Sequence, residues 1–438
     1  MPESFGRTEA VSMALGGMIG GGIYAVLGVV AQVAGHATWV GFVAAGAIAL
    51  CAGYSYARLN AAGSERGGAV SFVVEFAGRP SLAGMVGWTL LFGYVGSMAM
   101  YAVAFGEFVV GFGTVPASAA GVPLRPVVSV AAVALFVALN VGGARVTGAA
   151  ENALVAGKVA VLVAFGAWGL AFLGPISGQP TRLGLAGLAP ATPVVAAGIS
   201  FVAFQGWQLL FYDQDSIEDA TRTVREAVYV SIPVAVAIYV LVAIVTTNLA
   251  PQAIRTHPHV ALGDAAAAML APVDAGELGT TVISVSALFS TGSAINATLF
   301  SSARFAGGLL SRDLLPDQFG EEGSGDPSRL VLVLGGITAL LAAWGRLAAI
   351  TSFASLAFIG VFGGTCALAF REREREGIHP LPPAVGALGS AAFAPVLLWD
   401  LFRREPATFW TVLALVVGVA AVELWYFERD VLADRLSR

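Results

Sequence analysis

The sequence predicts an all-α polytopic membrane protein of about twelve transmembrane helices, and three observations carry that prediction. Hydrophobic residues fill 57% of the 438 positions and charged residues only 12%, against about half and about a quarter in soluble domains. Mean hydropathy is +0.81. Apolar runs about 20 residues long recur from end to end, and that is the length that crosses hydrocarbon as a helix. The expected surroundings are therefore a lipid bilayer. A formal charge of −5 gives no footprint for nucleic acid.

Between polar or proline-rich breaks the runs cover residues 10–34, 38–58, 82–112, 126–144, 149–173, 192–213, 226–249, 279–303, 329–345, 347–370, 382–401 and 407–427. The opening "MPESFGRTEA" is short and mixed in charge, so the first run is expected to be retained and not cleaved as a signal. Orientation follows the basic residues. Six of the 22 arginines (Arg125, Arg182, Arg255, Arg346, Arg403 and Arg404) fall on one side. The other sixteen, among them Arg7, Arg66, Arg145, Arg312, Arg429, Arg435 and Arg438, fall on the side of the N-terminus. The bias predicts a multi-pass protein of the cell membrane with both termini cytoplasmic. Polar stretches 250–278 and 312–328 read as loops. Cys51 and Cys366 lie in apolar spans and read as small core residues. His257 and His259 flank a proline in a loop with no third ligand nearby, so no metal site is expected there. No cofactor is called for.

Two spans carry weak points. The first contains "GGMIGGGIY", Gly16 to Tyr24, with Gly20, Gly21 and Gly22 consecutive. Three adjacent glycines cost a helix roughly 3 kcal/mol relative to alanine. A phosphate loop would need a preceding strand, and none is present. Glycines four apart suit close helix packing, but packing does not ask for three in a row, so the run predicts unwinding. The sixth span contains "FVAFQGWQLLF", where Gln205, Gly206, Trp207 and Gln208 set two amides and a glycine near mid-membrane. Each amide needs a partner there. The two weak points lie five spans apart, as in transporters built from two inverted five-helix repeats whose first helices are broken around a midplane substrate. Freed amide groups at half-helix ends suit a carboxylate, and freed carbonyls suit an ammonium.

"GGMIGGGIY", "ALNVGGARVTGAAENALVAGKVAVL", "FQGWQLLFYDQDSIEDATRTVREAV" and "STGSAINATLFSSARFAGGLLSRDLLPDQF" together resemble the amino acid–polyamine–organocation superfamily, in the right order over about 320 residues. The resemblance implies a LeuT-like fold and secondary transport of amino acids or related amines. It places a transporter core at residues 1–378, with repeats at about 8–173 and 192–370, and two additional helices with a cytoplasmic C-terminus at 379–438. It also implies substrate contacts at Ile19, Gly20, Gly21 and Gly22 and at Phe204, Gln205, Gly206 and Trp207. Ile19, Phe204 and Trp207 would wall the pocket, favouring neutral substrates with small or apolar side chains. Gln208 stands where many relatives have an acid, which weakens any case for a dicationic substrate. "EDATRTV" departs from the family's proline-containing loop and leaves Asp215, Glu218 and Asp219 as either gate residues or a solvated loop.

Lys158 is the only lysine in the chain. Ten residues from Gly148 at 1.5 Å each set it about 15 Å deep, half of a hydrocarbon core about 30 Å thick. Its stem reaches only about 6 Å, short of the interface. Glu151, seven residues back and about 10 Å along the axis, is too far for a direct pair. A charge at that depth costs roughly 3 kcal/mol or more, so the amine must find carbonyls, hydroxyls or water, or lose its proton. The resemblance implies that its ammonium replaces the cation of sodium-coupled relatives. Lysine can release a proton and arginine cannot, so Lys158 is either a proton switch or a permanently charged brace. The expected partners are an amino acid and protons, in symport or exchange. A membrane-embedded enzyme would need paired acids or a histidine–acid cluster. Glu107 and Glu423 are the only acids well inside spans, and neither has a histidine near it in sequence. A channel would need a continuous polar stripe, which the spans lack.

Overall fold

The computed structural model describes residues 6–113, 115–143, 148–176, 178, 180–186, 188–315 and 328–427. Arg145, residues 316–327 of the polar loop, and the C-terminal 428–438 with Arg429, Arg435 and Arg438 lie outside the described residues.

Each apolar run forms a helix. In chain order these are α1 (Arg7–Ala34), α2 (Thr38–Ala62), α3 (Pro80–Gly111), α4 (Leu124–Val141), α5 (Gly148–Ala171), α6 (Thr192–Ser200, with 3₁₀ turns beyond it), α7 (Ala220–Leu249), α8 (Gly276–Leu310), α9 (Ser328–Trp344), α10 (Leu347–Arg371), α11 (Leu381–Arg404) and α12 (Pro406–Phe427). Most are long and apolar enough to cross a membrane; the apolar helices at Thr192–Phe204, Ser328–Trp344 and Pro406–Gly418 are shorter. Local chemistry marks several boundaries. Gly78 takes the left-handed conformation just before Pro80 opens α3, where the missing N–H of proline is no loss. A small hairpin, Ser118–Ala119 paired antiparallel with Val122–Pro123, turns the chain between α3 and α4.

Helix α1 lies at the centre, packed against α5, α6, α7 and α8. Around it, α2 packs on α6, α7 and α10, and α3 packs on α4, α8, α9 and α10. The last two helices are peripheral: α11 lies on α2, α6 and α10, and α12 on α3, α10 and α11. Cys51 and Cys366 are free thiols beside Gly386, in keeping with a packing role.

The two weak points behave differently. Helix α6 is interrupted as expected: 3₁₀ turns at Phe201–Phe204 and Trp207–Tyr212 flank an extended Gln205 (ψ 151°) and Gly206 at φ 132°. Only glycine adopts that φ without strain. Helix α1, in contrast, is continuous from Arg7 to Ala34, and the unwinding expected at Gly20–Gly22 is absent. Packing accounts for the three glycines. A Cβ on Gly20 would meet the Ala294 side chain of α8 at 2.5 Å, one on Gly22 would meet Ala203 of α6 at 2.8 Å, and one on Gly21 would overlap the Tyr101 ring of α3. Three neighbours approach from three directions, so three successive positions must lack a side chain.

Candidate functional site

The interrupted α6 lies directly on α1. The position of a Cβ on Gly206 is 2.6 Å from the Gly17 carbonyl carbon, and the Gly22 position is 2.8 Å from the Ala203 Cα. Tyr239 of α7 ties the two helices together, its hydroxyl lying 2.6 Å from the Met18 carbonyl and 3.0 Å from that of Ala203. The backbone contacts join Gly17 and Met18 to Gly206, and Gly22 to Ala203; Ile19, Gly20 and Gly21 and Phe204, Gln205 and Trp207 flank them, and all eight expected contact residues are buried. Their rings do not converge. Phe204 packs on Phe42 and Tyr239, and Trp207 on Tyr56 and Phe362, so both turn toward α2, α7 and α10. Alternation along an interrupted helix cannot be read at a period of 3.6, which is why their facing was not legible.

Both buried amides have partners. Gln205 Nε2 donates to the Tyr101 hydroxyl at 2.5 Å, above Gly21. Gln208 Oε1 accepts the Gly206 N–H at 2.7 Å, closing the interruption, and Gln208 Nε2 donates to Gln205 Oε1 at 3.3 Å and to the Tyr94 hydroxyl at 3.4 Å. Tyr94 in turn donates to Tyr212 at 3.0 Å. Tyr101 and Tyr239 were missed in the sequence. The signal was present for the first: Tyr94 and Tyr101 lie seven residues apart on one face of an apolar helix, and a hydroxyl at that depth needs a partner.

Lys158 projects from α5 onto α1. It is 5% exposed, and its Nζ donates to the Gly16 carbonyl at 3.1 Å, four residues before the Gly20–Gly22 run. Glu151 is nearer than its place along the helix axis suggested. Seven residues are two turns, so both side chains leave α5 on one face. Glu151 Oε1 and Lys158 Nζ each lie 4.0 Å from the point a Cβ on Gly16 would occupy, hence at most about 8 Å apart. They attract each other. Beside them a small cavity of about 30 Å³ is lined by Glu9, Ala10, Met13, Glu151, Asn152, Leu210 and Ile217.

On the side of the N-terminus, ion pairs join the loops: Arg304 with Asp213 at 2.8 Å, Arg312 with Glu65 at 3.0 Å and Arg66 with Asp215 at 3.2 Å. Asn60 and Gln214 exchange two amide hydrogen bonds of 2.9 Å each. Asp215 therefore belongs to an inter-loop contact, whereas Asp219 sits at the start of α7 with φ 42° and its carbonyl accepts the Thr223 N–H. At the opposite end Glu107 pairs with Arg125 at 3.7 Å, and the fold brings His259 under the influence of both charges. That histidine neighbour was invisible in sequence, being 152 positions away. Among the described residues no three His, Cys, Asp or Glu side chains converge as metal ligands.

A bundle of this topology, with an interrupted sixth helix laid against the glycine run of the first, has the LeuT-type fold. Solved structures agree: a manganese transporter of Eremococcus coleocola superposes with a TM-score of 0.60 over 98% of this chain and 94% of that one, at 11% identity. The chain belongs to the amino acid permease family, whose description matches residues 5–424. An uncharacterized protein of Methanocaldococcus jannaschii is 31% identical over 314 residues, 71% of this chain and 69% of that one. The inner membrane transport protein YbaT of Escherichia coli is 25% identical over 95% of both chains. The branched-chain amino acid permease BcaP of Bacillus subtilis is 23% identical over 58% of this chain and 56% of its own length. The family and the Escherichia coli and Bacillus subtilis relatives are transporters, so the chain is a polytopic membrane transporter and not an enzyme.

Proposed function

We propose that the protein is an amino acid transporter of the cell membrane, working by alternating access and either proton-coupled or exchanging, with both termini cytoplasmic. Ile19 to Gly22 and Phe204 to Trp207 clamp the amino and carboxylate groups of the substrate once α1 and α6 separate. Residues 1–378 form the transporting core, with repeats at about 8–173 and 192–370, and 379–438 add two helices and a cytoplasmic C-terminus. The observation that carries the coupling is the bond from the buried Lys158 ammonium to the Gly16 carbonyl, which ties the charge state of α5 to the position of α1. Losing the proton weakens that tie and favours movement of α1. Inward movement of one proton supplies about 2.3 kcal/mol per 100 mV, enough for roughly fiftyfold accumulation.

Neutral substrates with small or apolar side chains fit best. The groups closest to the α1–α6 contact are the Gln205 amide, the hydroxyls of Tyr101 and Tyr239, and alanine and glycine backbone, with no carboxylate among them. A divalent metal, the substrate named for the Eremococcus coleocola neighbour, would need several oxygen or sulfur ligands converging at the break. The test is uptake of a labelled amino acid panel into proteoliposomes with and without an imposed pH gradient. Gradient-stimulated accumulation of a neutral amino acid is expected; no uptake or counterflow of any amino acid would refute the proposal.

A further inference from the structure

We propose that Glu151 is the proton acceptor through which Lys158 discharges toward the N-terminal side of the membrane, by way of the water-sized cavity between Glu151 and Glu9. This rests on the proton-coupled reading of Lys158. A buried amine that releases a proton needs a route for it, and most of the surroundings of Lys158 are apolar: Val155 one turn back, Leu162 one turn on, and the glycine face of α1. Among the described residues the lining turns acidic toward Glu151. Glu151 Oε1 and Lys158 Nζ both border the Gly16 position, each 4.0 Å from where a Cβ there would lie, with the Val155 side chain 3.0 Å from the same point. Beyond Glu151 the cavity of about 30 Å³ continues to Glu9 near the start of α1. That volume holds about two waters at 10–15 Å³ each.

The transfer balances as ammonium and carboxylate becoming amine and carboxylic acid, bridged by a water; the acid then returns its proton through the cavity. It replaces a separated ion pair by two neutral groups, which is the form that a low-dielectric site favours. The charged groups facing Glu151 are Lys158 on its own helix and Glu9 on α1. Among the charged residues of the helices packed against α5, Glu226 of α7 pairs with Arg7 and Arg222 and Arg304 of α8 with Asp213, while α7 also carries Arg225 and the helix at Ala261–Leu270 carries Asp264. Gly6 donates its backbone N–H to Glu9 Oε2 at 3.1 Å, which holds that carboxylate at the mouth.

The experiment compares wild type, Glu151→Gln, Glu151→Asp and Lys158→Ala in proteoliposomes with a trapped pH indicator. It reads substrate-dependent proton flux, gradient-driven uptake and substrate counterflow for a neutral amino acid. Glu151→Gln is expected to slow proton flux and driven uptake on the order of a hundredfold, the scale of a lost proton-transfer group. Counterflow, which moves no net proton, falls far less, and Glu151→Asp restores part of the flux. If Lys158→Ala abolishes proton flux while Glu151→Gln keeps the wild-type rate, the relay is wrong and the coupling reading stands. If Lys158→Ala keeps proton flux, the coupling reading itself is wrong. Equal loss of counterflow and driven uptake in both Glu151 variants counts against the relay, since it would mark a structural role.

Discussion

Gly17 of α1 and Gly206 of α6 meet backbone to backbone: the Cβ position of each lies 2.7 Å from the Cα of the other. The contact joins the continuous helix to the interrupted one, and under the proposed clamp a substrate has to part them. It also separates two meanings of glycine. Gly17 has ordinary helical geometry and lacks only room, whereas Gly206 at φ 132° lacks both room and an alternative conformation.

Alanine at either position should therefore destabilise the protein, and unequally. Overpacking costs about 1–3 kcal/mol, and a non-glycine residue held in a sparsely populated region adds about 1–3 kcal/mol more. Thermal unfolding in detergent should show a lower midpoint for Gly17→Ala and a markedly lower one for Gly206→Ala. A Gly206→Ala protein as stable as wild type would mean that the two backbones are not in contact. Larger residues at these positions test packing before they test binding.

A second stability prediction concerns Glu75, in the short helical segment 69–77 between α2 and α3. Burial alone would raise its carboxyl pKa, but the backbone N–H groups of Ser64 and Glu65, at 2.8 and 3.3 Å, and the Ser64 hydroxyl outweigh it and hold the pKa below the ordinary 4.5. A lowered folded-state pKa contributes stability that is present above the unfolded value and is lost as pH falls through the folded one. Glu75→Gln should thus be less stable than wild type at pH 7, and the gap should close below about pH 4.5. Unfolding midpoints of the two proteins at several pH values provide the check, and a gap that widens on acidification would contradict the assigned hydrogen bonds.

How much of this was legible in the sequence depends on how many bodies each feature involves. The twelve helices were, because spanning length is a property of one segment and its solvent. The α6 interruption was legible only through its place five spans after the glycine run, since two mid-membrane amides by themselves read equally as interhelical hydrogen bonds. The state of α1 was not: glycine serves unwinding and close approach equally, and the choice lay with Ala294, Tyr101 and Ala203, which no local pattern names. Tyr239 eluded sequence reasoning for the same reason, since it acts through the Met18 carbonyl, 221 positions away.

The orientation prediction rests on sixteen arginines against six. Single cysteines placed beside Arg182 and Arg255, in a background lacking Cys51 and Cys366, should react with an impermeant thiol reagent in intact cells. Cysteines beside Arg66 and Arg312 should react only after permeabilisation, and more readily once Asp215 or Glu65 is neutralised, because those ion pairs tie the loops together. The reverse labelling pattern would invert the map.

The proton switch and the fixed brace part company at Lys158. If the amine titrates during the cycle, uptake of a neutral amino acid should rise as external pH falls from about 8 to about 5 and should vanish in Lys158→Ala. Counterflow should survive that substitution to a greater degree, because the α1–α6 contact is untouched. Lys158→Arg decides between the two roles. A guanidinium stays protonated throughout this range, so a switch loses accumulation with arginine while a brace keeps it, provided the wider head group reaches the Gly16 carbonyl. Val155 Cγ2 lies 3.0 Å from the Gly16 Cβ position, so the wider head group must share the space over Gly16 with it. Unfolding midpoints of both variants must accompany the uptake data, because stripping a buried carbonyl of its charged donor costs about 1–3 kcal/mol and imitates loss of function. Full gradient-driven accumulation by a well-folded Lys158→Arg protein would falsify the switch and leave Lys158 as the cation that braces α1.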